Sequence, residues 1–127
     1  MGLIREADTP IVLDASGTIV RQVEAGDMTV EFDKLEADMD IDDLFTGLPN
    51  DMCQAEHWGY VIEGEMRYIT ASGEEIVAGP GDAYHVPPGH LPHTGHAGAR
   101  VVEFSRTKEL TETMRVVEQN MERSAQV

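Results

Sequence analysis

Two short stretches of the chain concentrate the side chains that can do chemistry. The first is Asp51-Met52-Cys53-Gln54-Ala55-Glu56-His57, with a carboxylate, a thiol and an imidazole at positions 51, 53 and 57. These positions share parity, so an uninterrupted strand turns all three to one face. Carboxylate oxygen, thiolate sulfur and imidazole nitrogen are all donors to first-row metals. The second stretch runs from Gly81 to His93. It reads as a short strand, Ala83–Val86, closed by Pro87-Pro88-Gly89, a turn that cannot continue a sheet ladder. His90 and His93 follow that turn. His85 within the strand and His96 in the loop 94–99 read as outward and solvated. Taken alone, the first stretch suits a buried thiol and a hydrogen-bonded histidine at least as well as a ligand set.

The elements that must position these residues are short strands. From Pro10 to Phe104 β-like runs alternate with turn residues: Ile11–Leu13, Thr18–Val23, Met28–Leu35, Tyr60–Ile62, Met66–Thr70, Glu75–Val77, Ala83–Val86 and Val101–Phe104. Asp14–Gly17, Ala25–Asp27, Glu63–Glu65, Ala71–Glu74 and Ala78–Asp82 supply the turns. Met28–Leu35 alternates, with Met28, Val30, Phe32 and Lys34 on one face and Thr29, Glu31, Asp33 and Leu35 on the other, as a half-buried strand does. Many closely spaced short strands predict an all-β sandwich or barrel. After Thr107 the period changes. Leu110, Met114, Val117 and Met121 recur at helical spacing and predict an amphipathic C-terminal helix of about three turns, within residues 107–125. Its stripe reads as a packing face, against the barrel or a partner subunit, without chemistry. The acidic run Glu36–Asp43 lacks the Gly and closing Glu of an EF-hand and reads as a solvated loop.

With 127 residues the chain has the length of one domain, a barrel over residues 11–106 followed by the helix. Its 24 acidic and 9 basic residues give a formal net charge of −15. A surface this acidic repels phosphate backbones and anionic lipid, so neither nucleic acid nor membrane is an expected partner. No apolar stretch approaches the ~20 residues of a spanning helix, and the N-terminus has no apolar segment of signal-peptide length. One cysteine rules out an internal disulfide framework. A cytoplasmic protein with Cys53 reduced is expected.

Together the two stretches resemble the cupin superfamily, over roughly Ile11 to Phe104. The family's first motif is His-x-His, three or four residues, Glu, then six residues to Gly. Here Gly64 fits the closing Gly in Tyr60-Val61-Ile62-Glu63-Gly64-Glu65, His57 stands at the Glu, Cys53 at the second His and Asp51 at the first. The second motif is Gly, five residues, Pro-x-Gly, two residues, His. Gly81, Pro87 and Gly89 match it; Pro92 stands at the His, and His93 arrives one position late. His93 becomes the ligand if the turn holds one extra residue, and His90, which has the expected parity, if it does not. The resemblance implies a double-stranded β-helix, or jelly-roll barrel, with one C-terminal helix. It also implies a divalent metal ion (Zn, Fe, Mn or Ni) held by Asp51, Cys53, His57 and either His90 or His93. Thiolate and imidazole suit Zn²⁺ well and Fe²⁺ or Cu acceptably. Tyr60, Met66, Tyr68 and Tyr84 are the expected pocket residues.

Three functions are open at this stage. One is a metal-dependent oxygenase, isomerase or lyase acting on a small molecule, with Asp51 as ligand or general base. Another is a non-catalytic module that binds a small molecule or a metal. The third is a metal-free structural dimer whose barrel is filled by side chains. A homodimer is expected in each case.

Overall fold

Seven antiparallel strands, one long helix and short 3-10 turns make up residues 2–15 and 17–125, the part described by the computed structural model. Met1, Ser16, Gln126 and Val127 lie outside the described residues, and with them part of the expected Asp14–Gly17 turn and both ends of the expected domain. The strands are β1 (Ile11–Ala15), β2 (Thr18–Ala25), β3 (Met28–Leu35), β4 (His57–Thr70), β5 (Glu75–Ala78), β6 (Ala83–Val86) and β7 (His90–Arg106); the helix is α1 (Thr107–Ala125). The sheet order is β1-β2-β3-β7-β4-β5, with β6 added to β4.

Two expected boundaries change. Glu63-Gly64-Glu65 bends a strand rather than ending one. β4 runs through it against β7, from Trp58 opposite Phe104 to Thr70 opposite His90, with breaks in register at Val61/Glu63 and Gly64/Met66. Gly64 takes φ +77° there, and the Gly98 carbonyl lies against its Cα where a side chain would stand. The expected loop 94–99, which carries His96, is part of β7.

Cross-strand register sets the interior. Glu31 pairs with Glu103, Phe32 with Val102, and Val61 with Val101. The inner face carries Leu35, Val61, Met66, Tyr68, Val86 and Val101, all buried in one apolar cluster. A second cluster joins Phe45, Cys53 and Ala55 to Leu110 and Val117 of α1. The helix has 19 residues, about five turns rather than three. Its apolar stripe packs inward over the 3-10 turn Asp42–Phe45. Asn120 pins it there, its amide donating to the carbonyls of Leu44 at 2.8 Å and Thr46 at 2.9 Å. Between the two clusters lies a cavity of about 370 Å³.

Candidate functional site

Cys53, His57 and His90 converge on the cavity wall, each offering a donor atom within 4.8 Å of the others, and all three residues are buried. The local chain explains the convergence. β6 ends at Val86, directly opposite His57, the first residue of β4. Pro87-Pro88-Gly89 then reverses the chain, with Gly89 at φ +86°. The returning His90 forms a two-residue bridge with Cys53: the Cys53 N–H donates to the His90 carbonyl at 2.9 Å, and the His90 N–H to the Cys53 carbonyl at 3.2 Å. Cys53 is therefore delivered by a bridge to β7, not by the uninterrupted 51–57 strand that parity suggests.

Hydrogen bonds orient both imidazoles. His90 Nδ1 donates to the Pro87 carbonyl at 2.7 Å, which leaves Nε2 as a lone-pair acceptor. That Nε2 is buried and has no hydrogen-bond partner. His57 Nδ1 lies 2.6 Å from Ser105 Oγ and 3.6 Å from Glu103 Oε2, and its Nε2 lies 3.8 Å from Cys53 Sγ. Behind His57, Glu103 Oε1 accepts the hydroxyls of Tyr68 and, at 2.7 Å, Tyr84. Gly59 is bare because the Tyr84 ring occupies the space its Cβ would take.

The charges follow from this packing. Burial alone would drive the Cys53 thiol up, but the adjoining His57 and His90 bring it down to about 6. Burial would lower His57, but the Glu103 carboxylate and the Cys53 sulfur raise it to about 9. Burial opposes ionisation of Glu103 too; His57 and the two tyrosine hydroxyls hold it below the usual carboxylate range. These opposed shifts favour a thiolate–imidazolium pair backed by Glu103.

The remaining sequence candidates fall elsewhere. Asp51 sits exposed at the end of the 3-10 turn Pro49–Asp51, where its carboxylate accepts the Gly47 N–H at 2.9 Å; it does not join the cluster. His93 faces away, its Nε2 3.0 Å from Asp42 Oδ1, with Asp40 beside it. Two residues separate His90 from His93 in an extended strand of period two, which puts them on opposite faces. Met66 and Tyr68 line the cavity. Tyr84 stands behind Glu103, and Tyr60 lies on the outer sheet face, 46% exposed. His85 is outside, stacked on Trp58 and 2.6 Å from Glu56, and His96 is solvated beside Asp38.

Sequence reasoning missed the interior carboxylates. Glu31, Asp33 and Glu103 place oxygens within 4.8 Å of one another inside the barrel. The alternation of Met28–Leu35 held the signal, but the face with Glu31 and Asp33 is the inner one. A polar strand face points outward in a packed sandwich and inward in a barrel that holds a ligand. Also missed was the part α1 plays, since Leu110, Met114, Val117 and Met121 line the cavity.

The donor set fits a transition-metal ion. Tetrahedral bonding to Zn²⁺ at ~2.3 Å to sulfur and ~2.0 Å to nitrogen separates S from N by roughly 3.6 Å, against the 3.8 Å between Cys53 and His57. The unpartnered His90 Nε2, with its Nδ1 anchored on a carbonyl, has the form of a metal-binding imidazole. Three protein donors are the number that a catalytic zinc site takes from the protein.

Residues 53–103 match a family model described as Cupin domain. None of the curated proteins matches the sequence. Solved structures share the fold at low identity. A structural-genomics protein of unknown function from Rhizobium leguminosarum is 19% identical with a TM-score of 0.59, over 83% of this chain and 95% of that one. The polyketide cyclase RemF from Streptomyces resistomycificus is 18% identical with a TM-score of 0.57, over 83% and 78%. An oxalate decarboxylase from Bacillus subtilis is 17% identical with a TM-score of 0.56, over 84% of this chain but only 30% of that one.

Proposed function

The chain is a cupin-fold protein, and we propose that it binds a divalent transition-metal ion through Cys53, His57 and His90 and a small, mostly apolar molecule in the cavity beside it. The observation that carries the reading is His90 Nε2, a fully buried acceptor with no partner, next to a thiol and a second imidazole. An unmet buried acceptor costs roughly 1–3 kcal/mol, and a metal ion at this point removes that cost. The cavity volume of about 370 Å³ lies within the range of small-molecule sites. It argues against the third reading, a barrel filled by its own side chains.

The chain's own groups have definable roles. Pro87 fixes the tautomer of His90 through its carbonyl, and Ser105 and Glu103 do the same for His57. Tyr68 and Tyr84 keep Glu103 ionised so that it can do so. Helix α1 and Met39 give the wall its apolar side. A metal bound here supplies Lewis acidity or a bound water of lowered pKa, chemistry suited to oxygenase, isomerase or lyase reactions. Soft sulfur and imidazole donors favour Zn²⁺, with Fe²⁺ next.

The homodimer belongs to the same proposal. Tyr60, Ile62 and Phe104 remain exposed on the outer sheet face, where a second copy would cover them. The α1 stripe is already spent on the cavity. The net charge of −15 disfavours nucleic acid and anionic membrane as partners. Among the described residues no helix is long and apolar enough to cross a membrane. A reducing compartment such as the cytoplasm suits a site that needs Cys53 as a free thiol.

The test is elemental analysis of tag-free protein beside Cys53→Ala, His57→Ala and His90→Ala. One equivalent of metal in the parent and none in the three variants is expected, with Asp51→Ala and His93→Ala unchanged. A parent that stays metal-free after incubation with Zn²⁺ or Fe²⁺ overturns the reading, as does a full equivalent in any of the three variants.

A further inference from the structure

We propose that Glu31 and Asp33 form a recognition site for the ammonium group of a small amphipathic amine held in the cavity. The proposal rests on the cavity being a ligand site and not on the metal.

The cavity wall has a surplus of carboxyl groups. Glu31, Asp33 and Glu103 all line it, with oxygens within 4.8 Å of one another. Among the described residues, none of those lining the cavity is Lys or Arg, and His57 alone offers compensating charge. Glu103 is already provided for, by the hydroxyls of Tyr68 and Tyr84 on one oxygen and by His57 near the other. One oxygen of Glu31 accepts the Gln22 amide. Asp33 remains. It is only 6% exposed, it lines the cavity, and its Oδ1 is buried without any partner. Buried carboxyls in apolar surroundings require a donor or a cation. Their present shortage appears in their acidity: burial and neighbouring carboxylates push Glu31 up to about 7 and Asp33 well above its ordinary value.

The wall around this pair selects the kind of cation. Met39, Ile41, Phe45, Leu110, Met114 and Val117 offer apolar contacts only. A hard metal ion needs six or more oxygens, and two available carboxyls in an apolar wall fall short of that. An ammonium needs up to three acceptors, and the hydrocarbon attached to it fills the apolar part. The resulting ligand is a primary amine on a short alkyl or aryl chain, its ammonium on Asp33 and Glu31 and its body against α1.

The test is calorimetric titration with n-hexylamine and 2-phenylethylamine, and with 1-hexanol as the neutral isostere, on metal-free and Zn²⁺-loaded protein. The amines are expected to bind about tenfold or more tightly than the alcohol, because a hydrogen bond to a charged group is worth at least a tenfold gain. Asp33→Asn should abolish that preference, and Glu31→Gln should reduce it. Both variants should keep the parent's affinity for 1-hexanol, which reports an intact cavity. Equal binding of amine and alcohol, no binding of either amine, or amine affinity unchanged in Asp33→Asn overturns the proposal. So does one equivalent of Mg²⁺ or Zn²⁺ that is lost in Asp33→Asn, since it would make the carboxyls a metal site. Amine binding in a protein that takes up no metal would sink the Cys53–His57–His90 reading and leave this one standing.

Discussion

In chelator-treated protein, Cys53 should titrate as an acid near pH 6. An ordinary cysteine does so near ~8.5, so at pH 7 roughly nine-tenths of Cys53 should be thiolate, against a few per cent for a free thiol. The larger of the two causes is His57, whose Nε2 lies 3.8 Å from the sulfur and whose charge is held by Glu103; His90 adds to it. A shift of this size corresponds to on the order of 3 kcal/mol of net stabilisation of the thiolate, left after the opposing cost of burial. The assay is ultraviolet difference absorbance of the thiolate between parent and Cys53→Ser, followed with pH. His57→Gln removes the cation and leaves a buried sulfur, 5% exposed, so its midpoint should rise to 8.5 or above. The same pair shapes stability. The depressed Cys53 contributes fully above its unfolded value, and that contribution is lost as pH falls through about 6. The raised His57 contributes fully below its unfolded value and is lost as pH climbs through about 9. Stabilisation by the pair should therefore peak between about 6 and 9. A parent midpoint at 8 or above, or a His57→Gln midpoint no higher than the parent's, would refute the ion pair.

Three further outcomes are expected. Glu31 has its acidity pushed up to about 7 by burial, so the folded state holds that proton more tightly than the unfolded one. Stability should fall between roughly pH 4.5 and 7, by up to ~1.4 kcal/mol per pH unit, and Glu31→Gln should flatten the fall in urea titrations. Gly59→Ala drives a methyl into the Tyr84 ring; a loss of about 1–3 kcal/mol in the same assay is expected, together with weakened support for Glu103. Asn120→Ala leaves the carbonyls of Leu44 and Thr46 without their donor. A loss of about 1–3 kcal/mol should result, with faster amide exchange over residues 42–46 than in the parent.

Much of the barrel was legible because turns are local. Gly64, Gly81, Pro87 and Gly89 mark bends whose backbone angles depend on those residues, and period-two runs between them give strands. The C-terminal helix was legible from the spacing of Leu110, Met114, Val117 and Met121, but what that face covers was not. The strand breaks were harder. Gly64 reads as a turn in one dimension and proves to be a bulge in a strand held by β7, because pairing with a distant partner can carry an irregular residue through.

The candidate site divides in the same way. Residue types and turns were enough to single out Cys53 and His57 and to bring a histidine to the end of β6. They left His90 and His93 as rivals, and strand parity recruited Asp51. The bridge between Cys53 and His90 removed both ambiguities, since it sets which side of the returning chain meets the thiol and leaves Asp51 out in solvent. Glu31, Asp33 and Glu103 became neighbours only through the registry of β3 with β7, a pairing across some seventy residues of chain. By itself the sequence determined the turns, the strand faces and the supply of donor groups, because these depend on a residue and its near neighbours. Only tertiary structure decided which face is inside, which histidine meets the sulfur and which carboxylates are denied water, because each of those depends on segments that touch only once the barrel has closed.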